Sequence, residues 1–223
     1  MDINFGQIVI SFLVLVFSLT VHESAHAWAA DRLGDPTARA LGRVSLNPLV
    51  HVDPIGTLLF PLVGMATGAP IIGWAKPVPV ATWRFDRPRR DYLMVAAAGP
   101  ISNLSLAFVA AVAFQVFPVH VQQAAQLAVT AGLPPSDAQV LVPLARLTWS
   151  ALEINLLLAI FNMLPIPPLD GSSVLAGLLP ERLAAGLDRL RPYGFLLLYG
   201  LMFSGGFNLI VGIPYYYLRS WLL

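Results

Sequence analysis

The sequence predicts an all-α polytopic membrane protein with about four to five transmembrane helices, organised as a single domain over residues 1–223. Three observations carry this prediction. Charged residues make up 11% of the chain and hydrophobic residues 57%, with a mean hydropathy of +0.72, whereas soluble domains hold about 25% charged residues. The apolar residues come in long runs rather than in the short alternating segments of a barrel. Nineteen prolines and seventeen glycines interrupt those runs, as expected for several packed membrane helices. The net charge of +1 argues against a nucleic-acid partner, and the absence of cysteine excludes a disulfide framework and a thiolate metal site.

Residues 5–33 form the first predicted span, apolar from Phe5 through Phe17 and stopped by Gly34-Asp35-Pro36. The N-terminus lacks the basic region and small-residue cleavage site of a signal peptide, so this helix is expected to be retained. Residues 91–117, 142–163 and 195–218 are the other three predicted spans. A fifth apolar stretch, 55–72, is shorter and broken by Gly56, Pro61, Gly64, Gly68 and Pro70. Basic residues decide how it runs. If it dips into the membrane and returns, Arg32, Arg39, Arg43, Lys76, Arg84, Arg87, Arg89, Arg90, Arg182, Arg189 and Arg191 share one side, leaving only Arg146 and Arg219 opposite. A full crossing would split the first three from the next five. The positive-inside rule therefore favours a re-entrant segment, a multi-pass protein of the cell membrane, and a cytoplasmic basic side. Residues 119–130, with Gln122, Gln123 and Gln126, read as an amphipathic helix on the outer surface. Trp74, Trp83, Tyr92, Tyr215, Tyr216, Tyr217 and Trp221 read as interfacial anchors.

The first span ends in His22-Glu23-Ser24-Ala25-His26. At 1.5 Å per residue His22 lies about 26 Å from Phe5, near the far edge of a roughly 30 Å hydrocarbon core. Residues i and i+4 of a helix differ by about 40° in azimuth, so His22 and His26 project together and can share one metal ion. Glu23 lies about 60° beyond His26, placed to accept a proton from water rather than to ligate. Zn²⁺ suits two imidazoles and a carboxylate with one position left open. Ionisable groups at membrane depth are costly, which makes an accidental cluster a poor explanation. For a third ligand the candidates are His51, Asp53, Glu153 and Asp170, while His120 falls on the opposite side. Asp170 follows Pro165, Pro167 and Pro168 at the end of the third span. Those prolines break the helix, so that Asp170 either turns back toward the site or caps the next helix. Glu153 reads as a helix–helix contact or a lining of a water path, and His51 with Asp53 as a local hydrogen-bonding pair or a group behind the metal.

His22-Glu23-Ser24-Ala25-His26, Ala98-Gly99-Pro100-Ile101-Ser102-Asn103 and Asn162-Met163-Leu164-Pro165-Ile166-Pro167-Pro168-Leu169-Asp170-Gly171 together resemble the site-2 protease family of intramembrane zinc metalloproteases. The resemblance covers about residues 5–180. It implies His22, His26 and Asp170 as Zn²⁺ ligands, Glu23 as the catalytic base, and Asn103 and Asn162 as contacts to the transition state or substrate backbone. It also implies a transmembrane protein substrate, cut near the cytoplasmic face. Residues 42–48 and 73–80 resemble the segments of the family's small membrane-edge β-sheet, onto which a substrate could add as a strand. The PDZ and CBS domains of some relatives have no counterpart here, which makes this a compact form. The bilayer is the expected environment, and a homo-oligomer is compatible with the reading. The rival readings are a zinc hydrolase acting on another membrane-embedded substrate, and a non-proteolytic zinc-binding protein such as a metal transporter or scaffold. Transport would need several ligand clusters along a path, and the sequence offers one.

Overall fold

The computed structural model describes residues 5–68, 73–116 and 135–223, so the amphipathic helix expected at 119–130 and His120 lie outside the described residues. In chain order the helices are α1 (Phe5–Arg32), α2 (Thr37–Ala40), α3 (Phe60–Thr67), α4 (Pro88–Val116), α5 (Pro135–Asn162), α6 (Asp170–Leu178), α7 (Glu181–Leu190), α8 (Gly194–Phe203) and α9 (Ile213–Leu222). Short π-helical turns at Pro54–Leu59 and Asn208–Gly212 lead into α3 and α9.

Among the described residues, three helices are long and apolar enough to cross a membrane: Phe5–Arg32, Pro88–Gln115 and Pro143–Asn162. The fourth predicted span is broken. Residues 195–218 fall across two helical segments, Glu181–Phe203 and Asn208–Leu222, bent by 81° from one another. The break falls where Gly205 takes a φ of 78°, a left-handed conformation that costs glycine little and other residues much. Residues Pro54–Thr67 form a shorter apolar helix that ends at Gly68, whose φ is 70°. Fourteen helical residues reach about 21 Å, too short for a full crossing.

The expected membrane-edge sheet does not form, and no strand occurs among the described residues. Residues 73–80 instead run as irregular chain across the π-helical turn and the loop before it. Trp74 donates its N–H to the Gly56 carbonyl at 3.1 Å and Lys76 to the His51 carbonyl at 2.9 Å. Thr57 Oγ1 donates to the Trp74 carbonyl at 2.8 Å. Pro77 and Pro79 have no N–H to contribute to a ladder. The alternating valines and prolines look strand-like in sequence, but the backbone donors are either absent or already committed.

The core forms where α4 packs on α1 and α5. Ala107, Ala110 and Ala111 of α4 let the backbone approach Leu152 and Leu156 of α5, and Leu222 of α9 closes the same cluster. Small residues at such a seam are the means by which membrane helices gain close contact. A second cluster, Leu164, Leu169, Leu198 and Val211, anchors the proline-rich turn after α5 against α8. Glu153 resolves as a helix–helix contact, accepting a hydrogen bond from Tyr215 of α9 at 3.1 Å. Beside it the Arg219 guanidinium sits 4.6 Å above the Trp149 ring.

Asp35 fastens the turn after α1 to the approach to α4. It is buried and accepts from the Thr37 N–H at 3.1 Å, the Thr37 hydroxyl at 2.5 Å and the Ala81 N–H at 2.6 Å. Burial works against its ionisation, but these hydrogen bonds and the charge of Arg84 prevail and hold its carboxyl below the ordinary 3.8. Its stabilising contribution is therefore complete above pH 3.8 and fades as the pH falls through the lower folded value. Asp35→Ala leaves the buried Ala81 N–H and the partly buried Thr37 N–H unpaired and is expected to cost about 2 kcal/mol. Chemical denaturation in detergent at pH 7 checks this, and an unchanged midpoint would contradict it.

Candidate active site

His22 and His26 lie on one face of α1 and are 4% and 8% exposed. The Nδ1 atom of His22 lies 2.6 Å from Oδ1 of Asn103 on α4. The Nδ1 atom of His26 lies 2.7 Å from the Val95 carbonyl oxygen on the same helix. Both partners accept, so both Nδ1 atoms carry the proton and both Nε2 atoms present lone pairs. The two Nε2 atoms are 3.0 Å apart, and Asp170 Oδ2 lies 3.1 Å from one and 3.3 Å from the other.

With both rings neutral, three acceptors thus converge with no hydrogen to share. Asp170 Oδ2 is buried without a hydrogen-bond partner, an arrangement that costs the protein energy unless a cation joins it. All the candidate ligand atoms of His22, His26 and Asp170 lie within 4.8 Å of one another. The space beside them is reserved. A Cβ on Gly99 would stand 2.6 Å from His22 Nε2 and closer still to His26 Nε2. Two imidazoles and a carboxylate, with the fourth direction unclaimed by the protein, are the donor set of an open zinc site. The residues fit the metal that the sequence implied.

Asp170 reaches this point because the chain breaks after α5. Pro165, Pro167 and Pro168 stop the helix, and α6 restarts at Asp170. A Cβ on Gly171 would collide with the Met163 and Leu164 carbonyls, so the turn can close this tightly only with glycine there. Arg89 of α4 donates to the Ala176 carbonyl at 3.0 Å and also to that of Leu179, capping the C-terminal end of α6 and holding it against α4.

The site opens into a cavity of about 910 Å³, at the upper end of the roughly 300–1,000 Å³ usual for ligand pockets. His22, His26, Asp170, Glu23 and Asn162 line it together with Leu15, Leu19, Leu158, Phe161, Leu198, Met202 and Phe207. Trp74 also lines it, wedged edge-on between Phe60 at 5.3 Å and Phe195 at 5.9 Å. The Glu23 side chain makes no hydrogen bond among the described residues and faces the cavity. Asn162 donates Nδ2 to the Leu158 carbonyl at 3.0 Å.

Asn103 is placed differently from the resemblance. It is 0% exposed and does not line the cavity; it stands behind His22. The sequence put it at the right depth but could not show which face of α4 meets α1. His51 is buried and local in its bonding, with Nε2 2.8 Å from the Ser45 carbonyl oxygen and 3.2 Å from Ser24 Oγ. Burial and the neighbouring Arg43 charge hold His51 below its usual value, the Ser45 bond notwithstanding. Asp53 caps the π-helical turn, accepting from the N–H groups of Ile55 and Gly56 at 3.0 and 2.7 Å.

Sequence reasoning missed Arg43 and Asn155. Arg43 is buried, donates to the Lys76 carbonyl, and feels the charge of Glu23. It ties the loop after α2 to the chain segment that lines the cavity. Asn155 signals itself only as an amide within a span, and its role depends on a partner in another helix.

The family model for peptidase family M50 matches residues 10–189, most of the chain, with His22, Glu23, His26, Asn162 and Asp170 all inside the match. The chain belongs to peptidase family M50. Among its relatives is a Bacillus subtilis protein named "Putative zinc metalloprotease YwhC", 37% identical over 186 residues that cover 83% of this chain and 76% of the relative. The Mycolicibacterium smegmatis protein named "Putative zinc metalloprotease Rip2" is 26% identical over 199 residues, 86% of this chain and 66% of its own length. A Mycobacterium tuberculosis protein of the same name is 32% identical over 173 residues, 77% of this chain and 56% of the relative. The M50 chain therefore spans three quarters of the Bacillus protein and less than two thirds of the mycobacterial ones. No solved structure matches it significantly. The resemblance drawn from the three sequence motifs is to this same family.

Proposed function

We propose that this M50 chain is an intramembrane zinc endopeptidase that hydrolyses a peptide bond within the transmembrane helix of a membrane-protein substrate. The observation that carries the reading is the convergence of His22 Nε2, His26 Nε2 and Asp170 Oδ2, with Glu23 beside them, on a large cavity otherwise lined by apolar side chains. The names of the relatives support zinc as the ion. Bound there, Zn²⁺ supplies Lewis-acid polarisation of the scissile carbonyl and of the attacking water. His22, His26 and Asp170 hold it. Glu23, free of hydrogen bonds and off the ligand face, accepts the proton from the water and returns it to the leaving amine. Asn162, in the cavity wall, is placed to hydrogen-bond the substrate backbone. The apolar walls exclude bulk water, which strengthens each of these polar interactions.

A helical substrate shields its own peptide bonds and must unwind before attack, and a cavity of this size can hold several residues of an opened helix. The clustering of basic residues at the site end of the chain supports a multi-pass protein of the cell membrane that cuts near the cytoplasmic face. The test uses the purified full chain in liposomes with synthetic transmembrane peptides. Cleavage that stops on chelation and returns with Zn²⁺ is expected. A zinc-loaded chain that leaves every transmembrane peptide intact would instead support a non-proteolytic zinc-binding membrane protein.

A further inference from the structure

The hydrogen bonding behind His22 does not end at Asn103. Asn103 Nδ2 donates to Asn155 Oδ1 of α5 at 2.8 Å, and more weakly to the Ser18 carbonyl of α1 at 3.3 Å. Asn155 Nδ2 in turn donates to the Ala151 carbonyl, one turn back in its own helix, at 2.8 Å. Asn103 and Asn155 are 0% and 2% exposed, and neither lines the cavity. No substrate group can compete for these bonds.

A side-chain amide rotated by half a turn exchanges donor for acceptor, so a chain of amides has two senses. Backbone carbonyls remove that ambiguity, Ala151 for Asn155 and, through the longer bond, Ser18 for Asn103. A backbone carbonyl can only accept, so Ala151 fixes Asn155 with Nδ2 toward it and Oδ1 toward Asn103. That oxygen draws Asn103 Nδ2, which leaves Asn103 Oδ1 facing His22 and keeps the imidazole proton on Nδ1. We propose that Asn155 is a positioning residue of the metal centre. Through Asn103 it holds His22 in the Nδ1–H tautomer, with Nε2 open to the ion. The inference rests on the zinc reading above and adds a residue that touches neither metal nor cavity.

The energetic logic is a choice between two amide orientations. With Asn155 in place, the native sense of Asn103 satisfies both of its ends. Without it, Asn103 Nδ2 keeps only the long bond to Ser18, and the reversed amide, donating to Nδ1, becomes competitive. In that reversed state Nε2 carries the proton and cannot ligate. The alternative role for Asn155 is to join α5 to α4, as buried amides do in membrane helices generally. A joining role predicts lost stability, but no change in the ring.

The experiment uses the full chain in detergent, labelled with ¹⁵N-histidine, with zinc affinity read by chelator competition. In the chelated wild type the His22 ring is expected to show the Nδ1–H pattern; an Nε2–H pattern overturns the proposal without any variant. Asn155→Leu is expected to shift the ring toward Nε2–H and weaken zinc binding about tenfold, the lower end of what supporting partners of a metal ligand contribute. Asn155→Asp keeps the acceptor and is expected to retain wild-type values, which also guards against misfolding of the leucine variant. Asn103→Leu is expected to weaken zinc at least as much, and Asn155→Leu to add nothing in that background. Wild-type affinity and tautomer in Asn155→Leu, equal impairment in Asn155→Asp, or additivity with Asn103→Leu would each overturn it. A wild type that binds no zinc refutes the proposed function instead, while the ring pattern still decides the tautomer.

Discussion

Glu23→Gln is expected to abolish hydrolysis of a transmembrane peptide while the protein keeps its zinc. The three ligand atoms belong to His22, His26 and Asp170, and Glu23 bonds to none of them. Glutamine keeps the size of the side chain but cannot take a proton from water. General acid–base groups contribute about 10²–10⁴ in rate, and this one serves both halves of the reaction, so a loss of about 10³-fold or more is expected. Asp170→Ala should behave differently and lose stoichiometric zinc together with activity, because two imidazoles alone make a weak site. Metal analysis and peptide cleavage on the same preparations separate the two variants. Hydrolysis at the wild-type rate in Glu23→Gln, or full zinc in Asp170→Ala, would remove the assignment of roles.

Gly99→Ala should lose the metal and cost stability as well. Alanine favours a helix over glycine by about 1 kcal/mol, so the backbone gains from the change. The site does not. The new methyl group would stand 2.6 Å from His22 Nε2, where a ligand atom needs open space. The rings cannot retreat, since Asn103 and the Val95 carbonyl hold them from behind at 2.6 and 2.7 Å. Zinc affinity is expected to fall about 100-fold, and the melting temperature of the chelated protein to fall with it, because the overlap with the rings outweighs the gain in helix propensity. Retention of zinc within threefold would mean that the rings give way.

The parts of the site set by helical geometry were legible in the sequence. Four residues on one helix bring His22 and His26 together whatever the rest of the fold does, and their depth follows from the rise per residue. Asp170 was legible as a candidate because three prolines mark a break at matching depth. What escaped the sequence depends on how elements turn toward each other. Asn103 could have faced the cavity or the back of His22, and only the packing of α4 on α1 decides. Asn155 has no meaning until α5 lies beside α4. The membrane-edge sheet failed for a local reason, since Pro77, Pro79 and the committed N–H groups of Trp74 and Lys76 leave no ladder to build. The last predicted span departs from a straight helix at one glycine, because a left-handed residue at Gly205 marks the break in its apolar run.

The convergence of His22 and His26 with Asp170 joins points about 150 residues apart in the chain. An ion held there is a crosslink as well as a reagent. A covalent bond closing a loop of that length would stabilise a fold by roughly 5 kcal/mol through the freedom it denies the unfolded chain, and a coordinated ion acts in the same sense. Zinc supply should therefore register in how long the protein survives, not only in how fast it cuts. Chains made in zinc shortage would keep α6 fastened to α4 through Arg89 but not to α1, and would be the ones that membrane quality control removes first.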